Sequence, residues 1–293
     1  MLQPERPRLL FVINPVSGGK KKADPELVIR NFFNGRPESI EIYLMQGAND
    51  DDSLAHYIRR WQPDIVIAAG GDGTVRMVAS HLLNTGIPMG ILPAGSANGM
   101  AAELCLPQDM EQAIKVIVNG VAKDIDVIRV NKDICIHLGD IGLNALLVRN
   151  FERQGMRGKL GYARAVLKTL YHRQLMDVHI DNGNVSIQRK AFMIVLANAR
   201  MYGTGACINP DGELGDGIFE VVILRRLSVL ELMKMLFRHR PFNPEKTEII
   251  KARKVNIVTR TRAHFQVDGE YLGKTHQVEA HILPQQLRIV VAE

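Results

Sequence analysis

The chain has 293 residues, 46% of them hydrophobic and 23% charged, with 37 Lys and Arg against 31 Asp and Glu for a net charge of +6. That composition excludes a disordered, collagen-like or disulfide-stapled chain and is that of an ordinary protein of one to two domains. No apolar run approaches the roughly eighteen residues of a membrane-spanning helix, and the first ten residues lack the apolar stretch of a secretory leader.

In chain order, Leu9–Ile13, Ile40–Leu44, Ile65–Ala69 and Met89–Leu92 read as buried strands. Between them Pro25–Phe33, Asp51–Trp61 and Val75–Leu83 carry helical apolar spacing. This alternation predicts an α/β class: a three-layer N-terminal domain, residues 1–123, with a parallel sheet and helices on both faces. Asp50, Asp51 and Asp52 read as capping charge at a helix N-terminus.

From about Lys123 the pattern changes to strands and turns, predicting a β-rich C-terminal domain over residues 124–293. Its strands are expected at Ile125–Val130, Ile134–His137, Val178–Ile180, Val185–Ile187, Phe192–Ala197, Ile218–Leu224, Lys254–Thr259, His264–Val267, Gln277–Ile282 and Leu287–Val291. Helical spacing interrupts them at Leu160–Gln174 and Val229–Arg238.

Charge is unevenly spread. Arg149–Arg173 holds seven basic residues and one acidic one, and Arg225–Arg262 holds eleven against three. Such stretches suit a phosphate-rich partner, whether nucleic acid, anionic lipid or nucleotide, and equally a solvated basic face. Cys105, Cys135 and Cys207 form no CxxC pair, which points to reduced thiols and a cytoplasmic protein. The nine histidines contain no HxxxH or HExxH spacing, so a histidine metal centre is not expected.

Three strand ends run into glycine-rich turns: Asn14-Pro15-Val16-Ser17-Gly18-Gly19-Lys20, Gly70-Gly71-Asp72-Gly73-Thr74 and Pro93-Ala94-Gly95-Ser96-Ala97-Asn98-Gly99. In an open parallel sheet ligands bind beyond the carboxyl ends of the strands, where glycine lets backbone approach and helix N-termini favour anions. One such turn is ordinary loop geometry; three together argue for phosphate binding. Neither the P-loop nor the dinucleotide fingerprint is present. An aspartate within a phosphate turn repels phosphate unless a cation or a proton lies between, so Asp72 reads as magnesium-associated or proton-handling. The plainer alternative is a turn cap.

The order and spacing of NPVSGG, GGDGT and LPAGSANGMA resemble the diacylglycerol kinase catalytic-domain family, which includes the bacterial soluble lipid kinases and the related sphingosine and ceramide kinases. GGDGT is shared with NAD kinases and 6-phosphofructokinases. The stretches from Asn198 to Leu224 and from Gln266 to Leu272 resemble the C-terminal domain of the bacterial lipid kinases.

That resemblance implies an ATP site in the interdomain cleft. The phosphates would lie on Gly70, Gly71, Asp72, Gly73 and Thr74 and on Gly95 with Ser96, with Asn14, Ser17 and Gly18 lining the same place. It further implies a Mg²⁺ site at Asp216 with the carbonyls of Glu213 and Ile218, an Asp126 linked to it through water, and Glu270 as general base. In the sphingosine kinases the aspartate at the position of Asp72 is implicated as base instead.

The chain departs from the family in three places. Val75-Arg76-Met77 replaces an Asn-Glu pair, Gly99 replaces an aspartate, and Met45 stands at a nucleotide-contacting threonine. Either Arg76 is a new phosphate ligand, or activity is weak or lost.

The reading is an ATP- and Mg²⁺-dependent lipid kinase, working on a diacylglycerol-like hydroxyl at an anionic membrane surface as a cytoplasmic, peripherally bound protein. Its rivals are a sphingoid-base or NAD kinase and a non-catalytic nucleotide- or lipid-binding regulator. A nucleic-acid partner is not expected, because no RRM, KH or helix-turn-helix signature accompanies the basic stretches. Oligomeric state stays open, with a homodimer among the options.

Overall fold

The computed structural model describes residues 6–18, 24–47, 49–143, 145–146, 175–202, 206–226 and 246–293. The helices expected at 160–174 and 229–238 lie outside the described residues. The chain divides into two compact units, Met1–Ile125 with Gln285–Glu293, and Asp126–Pro284.

In the first unit β1 (Arg8–Ile13), β2 (Ser39–Leu44), β3 (Ile65–Gly70) and β4 (Met89–Pro93) form a parallel sheet in the order β2-β1-β3-β4. Among the described residues five helices accompany it: α1 (Pro25–Phe33), α2 (Asp50–Trp61), α3 (Asp72–Leu82), α4 (Gly99–Glu103) and α5 (Met110–Asn119). Asp24 starts α1 by accepting the Glu26 N–H at 3.0 Å, with Pro25 in the first turn. Asp109 starts α5 in the same way through Gln112 N–H at 3.0 Å.

Leu9, Phe11, Ile13, Ile67, Ala69 and Leu92 cluster with Ile29 and Phe33 of α1 and with Ala113, Ile114 and Ile117 of α5. The alternate residues Leu10, Val12, Val66, Ala68 and Ile91 are buried on the opposite face, as the pleat requires. There α3 lies against β1, β3 and β4. The expected three-layer domain is found, and both periodicities that predicted it are those of its core.

Asp50, Asp51 and Asp52 do open α2, but Asp50 is buried rather than solvated. Its carboxylate accepts the N–H groups of Gln46 (2.9 Å) and Gly47 (2.7 Å) and the Tyr43 hydroxyl (3.2 Å). Burial by itself would raise this carboxyl; the three donors outweigh it and its pKa is lowered.

The second unit is antiparallel. β5 (Val121–Val130) enters it and turns into β6 (Asp133–Cys135). Then follow β7 (Leu138–Gly142), β8 (Met176–Asp181), β9 (Ser186–Ala191), β10 (Met193–Ala197), β11 (Met201–Tyr202), β12 (Ala206–Cys207), β13 (Phe219–Leu224), β14 (Thr247–Ala252), β15 (Lys254–Val267) and β16 (Glu270–Val291). The strand order runs β14-β13-β10-β7-β15-β16, with β8 joining β15 to β9. Inward residues such as Ile141, Ile194, Phe219, Ile257 and Phe265 share one core.

Four differences from the sequence expectation stand out. β7 and β14 were not expected: β7 reads Leu-Gly-Asp-Ile-Gly, a turn-like composition, yet all five residues are buried. Lys254–Thr259 and His264–Val267 are one strand, β15, whose register against β16 shifts between Val258 and Ala263. The two expected strands after Gln277 are likewise parts of β16. Residues 285–293, assigned from sequence to the second domain, belong to the first unit, where Ile289 pairs in parallel with Met89.

Arg189 on β9 grips Glu248 on β14 through Nε and Nη2 at 2.8 and 2.9 Å, which holds the Glu248 carboxyl below its ordinary range. A carboxyl depressed in the folded state adds stability that is complete above its unfolded pKa of about 4.3 and is lost as pH falls through the folded value. Arg189→Met should therefore lower Tm at pH 7, with the gap to wild type closing below about pH 4. Equal gaps at both pH values would contradict the assignment.

Candidate active site

The end of β3 and the end of β4 meet through glycine. A Cβ on Gly95 would run into the Gly71 Cα and lie 2.7 Å from Asn98 Oδ1; one on Gly71 would lie 3.3 Å from the Gly95 Cα. A Cβ on Gly70 would strike Thr74 Oγ1. The two turns thus touch backbone to backbone, and at position 95 only glycine permits it. Ala94 and Gly95 both donate to the Gly70 carbonyl, at 3.0 and 3.1 Å. Gly95 N–H also donates to Asn98 Oδ1 at 2.8 Å.

GGDGT is less a loop than a strand end followed by a first helical turn. Gly71 is the N-cap of α3, and Asp72, Gly73 and Thr74 are already helical. Helix geometry leaves the N–H groups of that turn without intrahelical acceptors, which is what an anion needs. The half-buried Asp72 does something specific: Oδ2 accepts the Gly99 N–H at 3.0 Å and Oδ1 the Met100 N–H at 3.1 Å. Both oxygens of one carboxylate cap the start of α4, tying the second glycine turn to the third.

The first turn is joined to the same place. Asn14 Nδ2 donates to Thr74 Oγ1 at 3.3 Å, and Asn14 Oδ1 accepts the Val16 N–H at 3.1 Å. Ser17 N–H donates to the Asn14 carbonyl at 3.2 Å, and Gly18 adopts a positive φ of 82°. Met45 continues the β1–β2 pairing through its N–H to the Ile13 carbonyl at 2.9 Å. Arg76 lies one turn into α3, half-buried, and Ser96 is exposed. The structure therefore links Asn14 to Thr74, Thr74 to Gly70, and Gly70 and Gly71 to Gly95, while Asp72 reaches Gly99 and Met100. Asn98, left-handed at φ 53°, completes the set and was missed from sequence. Its signal was there, since Asn before Gly-rich helix starts tolerates that conformation.

In the second unit Asp126 is fully buried on β5. Its N–H donates to the Leu214 carbonyl at 2.6 Å and its Oδ2 accepts the Gly217 N–H at 2.6 Å. It is thus brought against the loop that carries Glu213, Asp216 and Ile218. Asp216 itself is exposed and accepts the Ile218 N–H at 3.1 Å, an Asx turn. Beside this loop Glu220 is buried, with Oε2 accepting from Asn209 Nδ2 at 2.6 Å and Oε1 without a hydrogen-bond partner among the described residues. Burial raises the Glu220 carboxyl; the Asn209 bond and the Lys251 charge oppose this, while Asp216 and Asp211 push it further up. A hard cation among these oxygens fits the surplus of negative charge. Among the described residues no three His, Cys, Asp or Glu side chains converge to hold a metal, so main-chain carbonyls would have to complete the shell.

Glu270 opens β16 directly after a two-residue turn. Asp268 and Gly269 both have positive φ, 48° and 84°, the conformation of a type I′ hairpin. The exposed Glu270 is flanked by a buried acid, Asp268, whose carboxylate accepts N–H groups from Ile136 (2.9 Å), His137 (3.0 Å) and Leu138 (3.0 Å). Burial pushes this carboxyl up, and those donors together with His137 oppose it.

The sequence profile of the diacylglycerol kinase catalytic domain matches residues 8–130, and that of the YegS C-terminal NAD kinase beta sandwich-like domain matches residues 140–291. The chain belongs to the diacylglycerol kinase family. It is 28% identical to a Bacillus subtilis diacylglycerol kinase over 91% of this chain and 90% of that one, and 28% identical to a Staphylococcus epidermidis diacylglycerol kinase over 92% and 87%. An uncharacterised Synechocystis protein is 28% identical over 76% of the chain, which spans only 54% of that longer relative. Two solved Bacillus anthracis structures of diacylglycerol kinase type share its fold, with TM-scores of 0.79 and 0.73 at 20% and 17% identity, covering 97% and 99% of this chain and 97% and 98% of theirs.

In this family member the backbone contact between the turns makes a direct prediction. Gly95→Ala should destabilise by about 1–3 kcal/mol through overpacking, and Asp72→Ala by about 1–2 kcal/mol by stranding two N–H groups. Urea unfolding measures both; a Gly95→Ala loss under about 0.5 kcal/mol would mean the turns do not touch. For the acidic loop, millimolar Mg²⁺ should raise the Tm of wild type and not that of Asp216→Ala. Identical shifts would place any bound magnesium elsewhere.

Proposed function

We propose that the chain is a lipid kinase that transfers the γ-phosphoryl group of ATP to the hydroxyl of a diacylglycerol-like lipid, with magnesium required. The observation that carries this reading is the cap on α4. A phosphate-binding turn held to its neighbour by a carboxylate and a glycine–glycine contact is a preorganised cradle, and phosphoryl transfer depends on positioning and charge neutralisation above all. The two family profiles, which cover the chain from residue 8 to residue 291 save for a short gap, support the same reaction class.

In this reading the N–H groups of Gly71, Asp72, Gly73 and Thr74 hold the phosphates, with Asn14, Ser17, Gly18, Met45 and Ser96 around the nucleotide. Gly95 contributes by its missing Cβ, since its N–H is engaged with Asn98 and Gly70. Arg76 supplies positive charge in place of the family's Asn-Glu pair. Asp72 is assigned to holding the cradle closed, because both its oxygens already accept N–H groups. Glu270 takes the proton of the lipid hydroxyl as the hydroxyl oxygen attacks phosphorus. Asp126, Asp216 and the carbonyls of Glu213 and Ile218 would hold magnesium, which when bound supplies positive charge to this acidic loop. Access to a bilayer lipid is assigned to peripheral docking on anionic headgroups through the basic stretches; no helix of the described residues is long and apolar enough to span a membrane.

Incubation with labelled ATP, Mg²⁺ and mixed lipids tests the reading. A phosphorylated glycerolipid is expected, with Glu270→Gln lowering turnover by about 10²–10⁴-fold while ATP–Mg²⁺ still raises Tm. Label on a sphingoid base or on NAD would change the acceptor. ATP-induced stabilisation without any turnover would make the chain a regulator.

A further inference from the structure

The turn before Glu270 is held far more firmly than a hairpin needs. An Asp-Gly pair in a two-residue turn closes with ladder bonds alone, and here Val267 and Glu270 already pair across it. Around it the fold nevertheless buries two carboxylates and an amide: Asp140, Gln266 and Asp268 are 0%, 3% and 5% exposed. Burying such groups lowers stability unless each is hydrogen-bonded, and what a satisfied network returns is a unique geometry.

The bonds described for this set run to the turn, to backbone of β7 and its two ends, or between the set's own side chains. Asp268 Oδ1 accepts the His137 and Leu138 N–H groups at 3.0 Å each, with Cys135 Sγ at 3.5 Å, and Oδ2 accepts the Ile136 N–H at 2.9 Å. In return Asp268 N–H donates to the Leu138 carbonyl at 2.9 Å. On the other side Gly269 N–H donates to Gln266 Oε1 at 2.7 Å, and Gln266 Nε2 donates to Asp140 Oδ2. Asp140 Oδ1 accepts the Ala145 N–H at 2.8 Å, where the chain becomes helical after β7. Both turn residues are thus anchored to β7 and its two ends, and the next residue is Glu270.

We propose that Asp268 and Gln266, the latter braced by Asp140, are positioning residues that fix the backbone from which Glu270 works. The inference rests on the reading of Glu270 as the base. It predicts that their contribution to turnover passes through the Glu270 carboxylate and vanishes without it. A role confined to stability would multiply through any background.

A double-mutant cycle separates the two. Gln266→Met keeps length and removes both side-chain bonds; Asp268→Asn keeps shape and presents one amide N–H to a backbone N–H. Turnover of the full chain with ATP, Mg²⁺ and dioctanoylglycerol in detergent micelles is measured with Glu270 and with Glu270→Gln. Each variant should lower kcat about ten- to hundredfold with the KM for ATP within about twofold of wild type, and by less than about twofold on top of Glu270→Gln. Equal losses in both backgrounds, or no loss, with Glu270→Gln itself impaired, would overturn the positioning role alone. Full turnover by Glu270→Gln would remove the base assignment and this inference with it. Should Asp268→Asn fail to fold, Gln266→Met decides, since it leaves the Asp268 carboxylate and its three N–H partners in place.

Discussion

Two carboxylate oxygens on Asp72 and two backbone N–H groups, of Gly99 and Met100, set the geometry on which the first unit's candidate site depends. Without that cap, α4 would begin with stranded donors, and the third glycine turn would be held to the second only through the Ala94 and Gly95 N–H groups on the Gly70 carbonyl. With it, Gly95 is pressed against Gly71 so closely that a Cβ at position 95 would run into the Gly71 Cα. The candidate site is therefore built largely of backbone, positioned by the short side chains of Asp72, Asn98 and Asn14. Helix α3 and strands β3 and β4 supply the rigid frame, because their inward residues are locked in the two cores on either face of the sheet.

At two of the three family departures, Gly99 and Met45, the contacts of this candidate site come from main chain. Gly99 lacks the family's aspartate, yet its contribution to the cap is a main-chain N–H that any residue but proline provides. Met45 lacks a hydroxyl, but its N–H still extends the β1–β2 pairing to the Ile13 carbonyl. Arg76 changes the charge next to the first turn of α3 without touching the glycine contact.

The parallel sheet was readable because buried strands and amphipathic helices have distinct periods, and Leu9–Ile13 or Pro25–Phe33 show theirs without interference. β7 was not readable: two glycines and an aspartate within five residues mimic a turn, and only burial on both faces makes it a strand. β15 and β16 were divided because Arg260, Thr261 and Arg262 at a register shift, and Pro284 later, look like breaks. Glycine-rich motifs located the candidate site, since their composition is local. What the individual side chains do was not local. Asp72 reaches residues 27 and 28 positions away, Gln266 reaches Asp140 across 126, and Asp268 reaches 130 to 132 positions back. A sequence displays such residues as turn formers; their role is a property of the folded neighbourhood.

The most direct measurement is a crystal structure with Mg²⁺ and a non-hydrolysable ATP analogue. The account predicts phosphate oxygens within hydrogen-bond reach of the first-turn N–H groups of α3, with the Gly71–Gly95 contact intact and Asp72 still accepting from Gly99 and Met100. Phosphates bound away from that turn, or an Asp72 that releases α4 to bind the metal directly, would contradict it.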